Sequence, residues 1–381
     1  MLGIGRYLFG LLAAGVIVAG CGGAGGGSAQ EGLRVDTEGW KTDFSKHSVP
    51  LGEFVSGGPP RDGIPPIDEP KFVSVERAAE SLAEREPVMV VEVEGRARGY
   101  PLQILVWHEI VNDLFAGRPI AVTYCPLCNS SLVFDRTVDG RTLRFGTTGN
   151  LRNSDLVMWD DATESWWQQI TGQAVVGELT GTRLTPIASQ TLSFADFRAR
   201  FPEGEVLSRD TGFERDYGTN PYAGYEDSDN LDEQPFLLED QADGRLAAKE
   251  RVVAVPHRDG AIVIPFSRLE REPVVHADAA RRPVVVFYKR GVLSALDAGA
   301  ISRSDDVGTA ATFDRRLGGR TLTFEPAGEG RFRDRQTAST WDITGRAVAG
   351  ELEGERLTSV VSDQQFWFAI AAFLPEAEIL P

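Results

Sequence analysis

Phe134-Asp135-Arg136, followed by Gly140-Arg141-Thr142-Leu143 and Phe145, returns later in the chain as Phe313-Asp314-Arg315, Gly319-Arg320-Thr321-Leu322 and Phe324. Further on, Ile170-Thr171-Gly172, Gly177-Glu178-Leu179 and Arg183-Leu184-Thr185 return as Ile343-Thr344-Gly345, Gly350-Glu351-Leu352 and Arg356-Leu357-Thr358. The order is kept throughout, which is the signature of an internal duplication. The copies run roughly from Pro87 to Leu207 and from Arg251 to Leu380. Short runs such as Val88 to Val93 and Ala97 to Tyr100, joined through Glu94-Gly95, read as strands and hairpins. Helix signals are few. Ser74 opens a short helix from Val75 to Arg85, Leu102 to Trp107 looks like a helical turn, and Ser193 to Arg200 carries a helical pattern. The expected fold class is β-rich α+β, with two internally duplicated repeats packed as a pseudo-symmetric pair around one core.

Comparing the copies separates scaffold from chemistry. Aligned through Arg118-Pro119 and Arg282-Pro283, Tyr124 falls on Tyr288, Cys125 on Lys289, Cys128 on Val292, His108 on Glu272 and Met158 on Phe332. Residues present only in the first copy are the candidates for function. There, a strand-like run from Pro119 to Tyr124 feeds Cys125-Pro126-Leu127-Cys128, and Ser131 to Asp135 leaves it. Such a turn faces both sulfurs toward one point, as in a thiolate metal knuckle or a small redox loop. No helical period follows Cys128, unlike the thioredoxin arrangement, and no His follows it, which excludes covalent haem attachment.

Two thiols two residues apart supply half of a tetrahedral metal, so further ligands must come from elsewhere. Of the histidines, His47 precedes the repeats and His257 and His276 lie in the second copy, which leaves His108. The expectation is an imidazole nitrogen within roughly 4–6 Å of a Cys125 or Cys128 sulfur. Met158 is a candidate thioether ligand, and Glu109, Asp113 and Tyr124 are candidate orienting residues around the metal ligands. Thiolate with thioether favours Cu(I), and thiolate with imidazole favours Zn(II). The stretch Arg209 to Asp232, with Tyr217, Tyr222 and Tyr225, reads as a lid or a long ordered loop. Its acidic end lacks the spacing of a calcium loop.

Trp107-His108-Glu109-Ile110-Val111-Asn112-Asp113, Tyr124-Cys125-Pro126-Leu127-Cys128, Asn153-Ser154-Asp155 and Pro221-Tyr222-Ala223-Gly224-Tyr225 resemble the motif set of the domain of unknown function 3179 family. The resemblance covers Asp62 to Tyr225 closely and the second copy more loosely. It implies a fold and often a secreted or lipoprotein setting, and it carries no activity with it. The chain departs from the family in having Asn129-Ser130 where a glycine usually follows the second cysteine.

The first 21 residues read as a lipoprotein signal peptide, with Arg6, an apolar run from Tyr7 to Ile17, and Val18-Ala19-Gly20-Cys21 in the form of a lipobox. Residues 22–70 then read as a flexible tether and extended arm, 71–240 as the first repeat with its Cys-Pro-Leu-Cys site, and 251–381 as the degenerate second repeat. The expected setting is an extracytoplasmic, membrane-anchored lipoprotein of the cell envelope, held by lipidated Cys21. A net charge of −17 argues against nucleic acid as a partner. No phosphate loop or dinucleotide fingerprint is present, and no NAD, flavin or haem is expected.

Three functions remain open. The first is binding or delivery of copper or zinc, with a protein or metal donor as partner. The second is a thiol–disulfide oxidoreductase or redox sensor using Cys125, Cys128 and His108. The third is a non-catalytic surface module in which the cysteine pair is a structural disulfide. For the anchor, Cys21→Ser is expected to abolish membrane partitioning and leader processing; unchanged detergent partitioning of that variant would refute it.

Overall fold

The computed structural model describes residues 32–381 except 259 and 329; the leader and Cys21 lie outside the described residues. The described chain is strand-rich with few short helices. The sheet that carries the cysteines is antiparallel, in the order Thr185–Ile187, Ser130–Asp135, Arg118–Cys125, Ile110–Phe115. In its middle strand Ile120, Ala121 and Val122 are all fully buried, so both faces of the sheet are covered. A second sheet runs Phe54–Ser56, Phe145–Arg152, Asp155–Asp160, Trp166–Gln168, Gln173–Val176. A third pairs Ser189–Ser193, Pro87–Val93, Arg96–Pro101, Glu205–Leu207 and Phe72–Ser74, with one parallel contact, Glu205 beside Arg98.

Besides a two-stranded ribbon, Arg316–Leu317 with Arg320–Thr321, the second half has three four-stranded sheets of its own among the described residues. They run Asp363–Phe366, Arg251–His257, Gly260–Pro265, Glu378–Ile379, then Val274–Ala279, Arg282–Lys289, Thr309–Asp314, Thr358–Ser359, and Phe324–Pro326, Phe332–Asp334, Thr340–Trp341, Ala347–Ala349.

Local chemistry explains the elements. Glu94-Gly95 and Ala116-Gly117 both take positive φ and close tight hairpins, as the twist of paired strands requires. Ser193 caps the helix Phe194–Arg200 by accepting the Asp196 N–H at 3.0 Å, and Phe194 and Phe197 are its buried face. Ser74 caps Val75–Ala78 through the Arg77 N–H. That helix stops well short of Arg85, because the chain tightens into turns in which Glu80 and Ser81 donate to the carbonyls three residues back. The arm expected to lie across the domain without regular structure in fact supplies an edge strand, Phe54–Ser56, paired with Asn150 to Arg152. Trp40 anchors it, edge-on to Trp166 at 5.3 Å and Trp159 at 5.9 Å.

Two of the hydrophobic clusters span both halves, while three lie within one half alone. One hydrophobic cluster joins Leu105, Val122 and Tyr124 to Leu296, Phe366 and Phe368; another joins Phe194 and Phe197 to Val285, Phe287 and Trp341. A fragment ending at Leu207 therefore uncovers several large apolar side chains. Each exposed one costs about 1.5–3 kcal/mol, against a whole-domain stability of about 5–15 kcal/mol. The expected outcome is insoluble or non-cooperatively folded material. A soluble fragment with a single sharp unfolding transition would establish two independent domains instead.

Candidate functional site

Cys125 is the last residue of the strand Arg118–Cys125, and Cys128 lies in the turn before Ser130–Asp135. Asn129 occupies the left-handed position of that turn, at φ 52°, which Asn tolerates far better than a branched residue. It thereby fills the place where a glycine is usual, and the Tyr124 hydroxyl donates to its side-chain oxygen at 3.1 Å. Opposite the turn sits a second tight hairpin. Asn153 and Ser154, both at positive φ, join Phe145–Arg152 to Asp155–Asp160. This hairpin presents the Ser154 carbonyl and the Asp155 carboxylate to the thiols, each 3.4 Å from the Cys128 sulfur. One donor atom from each of Cys125, Cys128 and Asp155 lies within 4.8 Å of the others.

A fourth acid joins them. Glu109 caps the helix Leu102–His108 at φ 58°, and its carbonyl accepts the Tyr124 N–H at 2.8 Å, one residue before Cys125. Its carboxyl is buried and makes no hydrogen bond among the described residues. Burial, reinforced by the nearby Asp155, pushes it up to about 8. Burial likewise lifts Asp155 to about 6, although its Oδ2 accepts from Gln168 Nε2 at 2.6 Å and Ile170 N–H at 3.1 Å. Both thiols are pushed up too, burial first in each case, Cys128 further than Cys125. None of the four groups receives a hydrogen bond from Lys or Arg among the described residues. Three acids share one buried site. The Glu109 carboxyl lies outside their 4.8 Å group but close enough to act on Asp155 and Cys125, and none has a cationic hydrogen-bond partner among the described residues.

His108 is held elsewhere. Its Nδ1 lies 2.7 Å from the Pro65 carbonyl, which can only accept, so Nδ1 carries the proton and Nε2 accepts the Tyr217 hydroxyl at 2.6 Å. Burial pushes the imidazole down, in keeping with this neutral form. Both ring nitrogens are thus engaged. Asp113 does not orient the ring either; it binds Arg98 and accepts the Tyr100 hydroxyl at 2.6 Å. Met158 is buried opposite Thr147 and Trp167, and strand alternation points it away from the side of Asp155.

The long stretch after Leu207 lies across the first half as a strap. Tyr217 binds His108, the Thr219 carbonyl accepts Trp107 Nε1 at 3.1 Å, and the Tyr225 hydroxyl donates to the Leu127 carbonyl inside the cysteine turn at 3.0 Å.

Two donors lay outside the sequence-derived ligand set. Asp155 stands in the Asn153-Ser154-Asp155 motif, whose signal was the tight-turn pair ahead of it; Glu109 had been assigned an orienting role. Nothing in a linear reading places either carboxyl against the sulfurs.

Fold and site together define a strand-rich protein with a buried thiol–carboxylate cluster at the meeting point of two hairpins. Residues 61–377 match the family described as protein of unknown function (DUF3179), and the chain belongs to that family. No match emerges among curated proteins or among solved structures.

The burial of Glu109 fixes a pH dependence for the metal-free protein. Its folded pKa of about 8 exceeds the ordinary carboxylate value, so the native state binds this proton more tightly than the unfolded chain does. Stability therefore falls as pH rises toward 8 and levels off above it, with a slope of at most about 1.4 kcal/mol per pH unit. His276, lowered to about 4, and His108, also lowered, act in the opposite direction below their unfolded value, which leaves pH 6.5–8 for the buried carboxyls, Asp363 being pushed up in the same sense as Glu109. In chelator-treated protein, urea midpoints are expected to drop across this window, and Glu109→Gln is expected to flatten the drop. An unchanged slope in that variant would remove Glu109 from the pocket's electrostatics.

Proposed function

We propose that this chain is an extracytoplasmic lipoprotein that holds one borderline-soft metal ion at Cys125, Cys128 and Asp155, with the Glu109 carboxyl as a nearby acid. The observation that carries the reading is the buried trio of donor atoms within 4.8 Å of one another. A dication bound there supplies the charge that the four acids lack, and it converts the thiols to thiolates despite their burial. Two thiolates with carboxylate oxygen suit Zn(II) better than Cu(I), which prefers sulfur throughout. The closed surroundings suit retention of the ion more than rapid hand-over, since structural sites lack the open position of catalytic ones.

The same reading treats the chain as two copies, one keeping the site and one having lost it. Its support is the order of hydrogen-bonded strands. Thr185–Ile187, Ser130–Asp135, Arg118–Cys125, Ile110–Phe115 runs in parallel with Thr358–Ser359, Thr309–Asp314, Arg282–Lys289, Val274–Ala279.

A thiol–disulfide role draws on the same sulfurs. Exchange needs an accessible thiolate, whereas Cys125 and Cys128 are 2% and 0% exposed and their thiols are pushed up.

Full-length protein purified anaerobically is expected to contain close to one equivalent of metal. Cys128→Ser and Asp155→Asn should each lower affinity by at least about tenfold, while Lys289→Gln, at the matching place in the second half, leaves metal content unchanged. A Cys125–Cys128 disulfide in anaerobic, metal-free preparations that take up no zinc or copper would overturn the proposal.

A further inference from the structure

Far from the thiols, the helix Phe194–Arg200 ends at a cleft of ≈ 540 Å³ whose other wall comes from the second half. Four cations line it, Arg200, Lys289, Arg331 and Arg346, against two carboxylates, Asp196 and Asp342. The carboxylates are already committed. Asp196 binds Lys289 at 2.5 Å, and Asp342 accepts the Thr344 N–H and hydroxyl and the Arg346 backbone N–H. The guanidinium groups of Arg200 and Arg346 make no hydrogen bond or ion pair among the described residues, and the Arg200 Nε is buried without a partner. Both side chains also line an adjoining cleft of ≈ 480 Å³ that adds Arg96 and Arg356. Arg356 is engaged by Glu92, and Arg96 by Glu205 at 3.4 Å. Two guanidinium groups without an ion pair among the described residues, that of Arg200 lying over the Phe201 ring at 4.8 Å, therefore form the wall common to both clefts. The second cleft also holds Glu203 and Glu205.

We propose that this cleft binds a small oxyanion of two or more negative charges, a phosphate group or a di- or tricarboxylate, gripped by the forked guanidinium groups of Arg200 and Arg346. Three observations converge on it. The first is the excess of positive charge in a chain whose net charge is −17, where solvated acids would be the ordinary lining. The second is mutual repulsion: after burial, Arg356 and Arg346 are the largest influences lowering the proton affinity of Arg200, and they outweigh the nearby carboxylates of Glu92 and Asp342. The third is the orphaned Nε of Arg200, which shows that the chain itself supplies no acceptor for this guanidinium. Arginine's planar fork matches carboxylate and phosphate oxygens in pairs, which is why two such groups facing one space recognise an oxyanion rather than a halide. Lys289, which stands where the first half has Cys125, adds charge at the rim.

The test is calorimetric titration of the full chain with inorganic phosphate and, separately, with succinate and citrate. Ionic strength is held constant and sodium chloride serves as control. Saturable binding is expected for at least one of these oxyanions, and the tighter arm identifies phosphate or carboxylate as the preferred source. Arg346→Gln and Arg200→Gln should each weaken it by at least about tenfold. Arg346→Lys, which keeps the charge and loses the fork, should weaken it by less than Arg346→Gln. Without anion, Arg346→Gln should melt at or above the wild-type temperature, because repulsion is relieved; with saturating anion it should melt below wild type. The proposal is overturned if no oxyanion binds beyond the chloride control, if both glutamine variants bind like wild type, or if Arg346→Gln loses the same stability with and without anion.

Discussion

The cysteine turn is held by the half of the chain that has no cysteines. The Phe366 N–H donates to the Cys128 carbonyl at 2.9 Å, and the Ser131 N–H donates to the Asp363 carboxyl at 3.1 and 3.2 Å. With the Tyr124 N–H bound to the Glu109 carbonyl, the backbone on both sides of the thiols is tied to neighbours distant in sequence. A buried N–H or carbonyl left unpaired would cost about 1–3 kcal/mol, so the turn is rigid only while both halves are docked. This dependence gives the second half a physical role. Phe366 also places its ring in the same core as Tyr124 and Cys128, so packing and hydrogen bonding constrain the turn together.

Charge organises the molecule around two opposite problems. Around the cysteines, acids are buried without a cationic hydrogen-bond partner among the described residues, and burial raises their proton affinity. In the arginine cleft, cations outnumber the carboxylates, and arginine cannot be neutralised in that way because it remains protonated at any ordinary pH. The first pocket can stay neutral without a ligand; the second cannot. Elsewhere the fold neutralises such groups internally, as where Arg251 and Glu226 pair inside the core and Ser294 donates to the same carboxylate.

Much of this architecture was legible in the linear order of residues. Alternation placed the hairpin Pro87–Val93 with Arg96–Pro101, Gly-containing pairs marked its turn, and Ser193 announced the helix it caps. The thiol turn was legible too, because Cys125 and Cys128 are local to one another. What could not be read was anything settled by contact between distant segments. Asp155 reaches the sulfurs because two hairpin tips face each other across two sheets, a relation without a period or spacing. His108 illustrates the converse. It is absent from the second half along with the cysteines, yet its ring belongs to the strap, through Tyr217, and the second half has no such strap to hold. The ring is held by Pro65 and Tyr217 and stands outside the trio of Cys125, Cys128 and Asp155. The arm failed for a simpler reason: Pro and Gly around Phe54 hid an edge strand whose partner, Asn150 to Arg152, lies nearly a hundred residues away.

The strap also bears on how an ion would reach the thiols. Its Tyr225 hydroxyl sits on the Leu127 carbonyl, inside the turn that carries Cys128, while its backbone is pinned to the second half through Asn220, Gly224 and Glu226. Lifting it would break those bonds together with the Trp107 and His108 contacts, and would expose side chains of Tyr217, Tyr222 and Tyr225 that pack on the main core. Each hydrogen bond contributes about 0.5–1.5 kcal/mol net, and the packed rings add to that. Opening is therefore a rare, cooperative event rather than a fluctuation of a loose loop. A metal seated beneath such a cover exchanges no faster than the cover opens, which favours an ion acquired as the chain folds and kept afterwards.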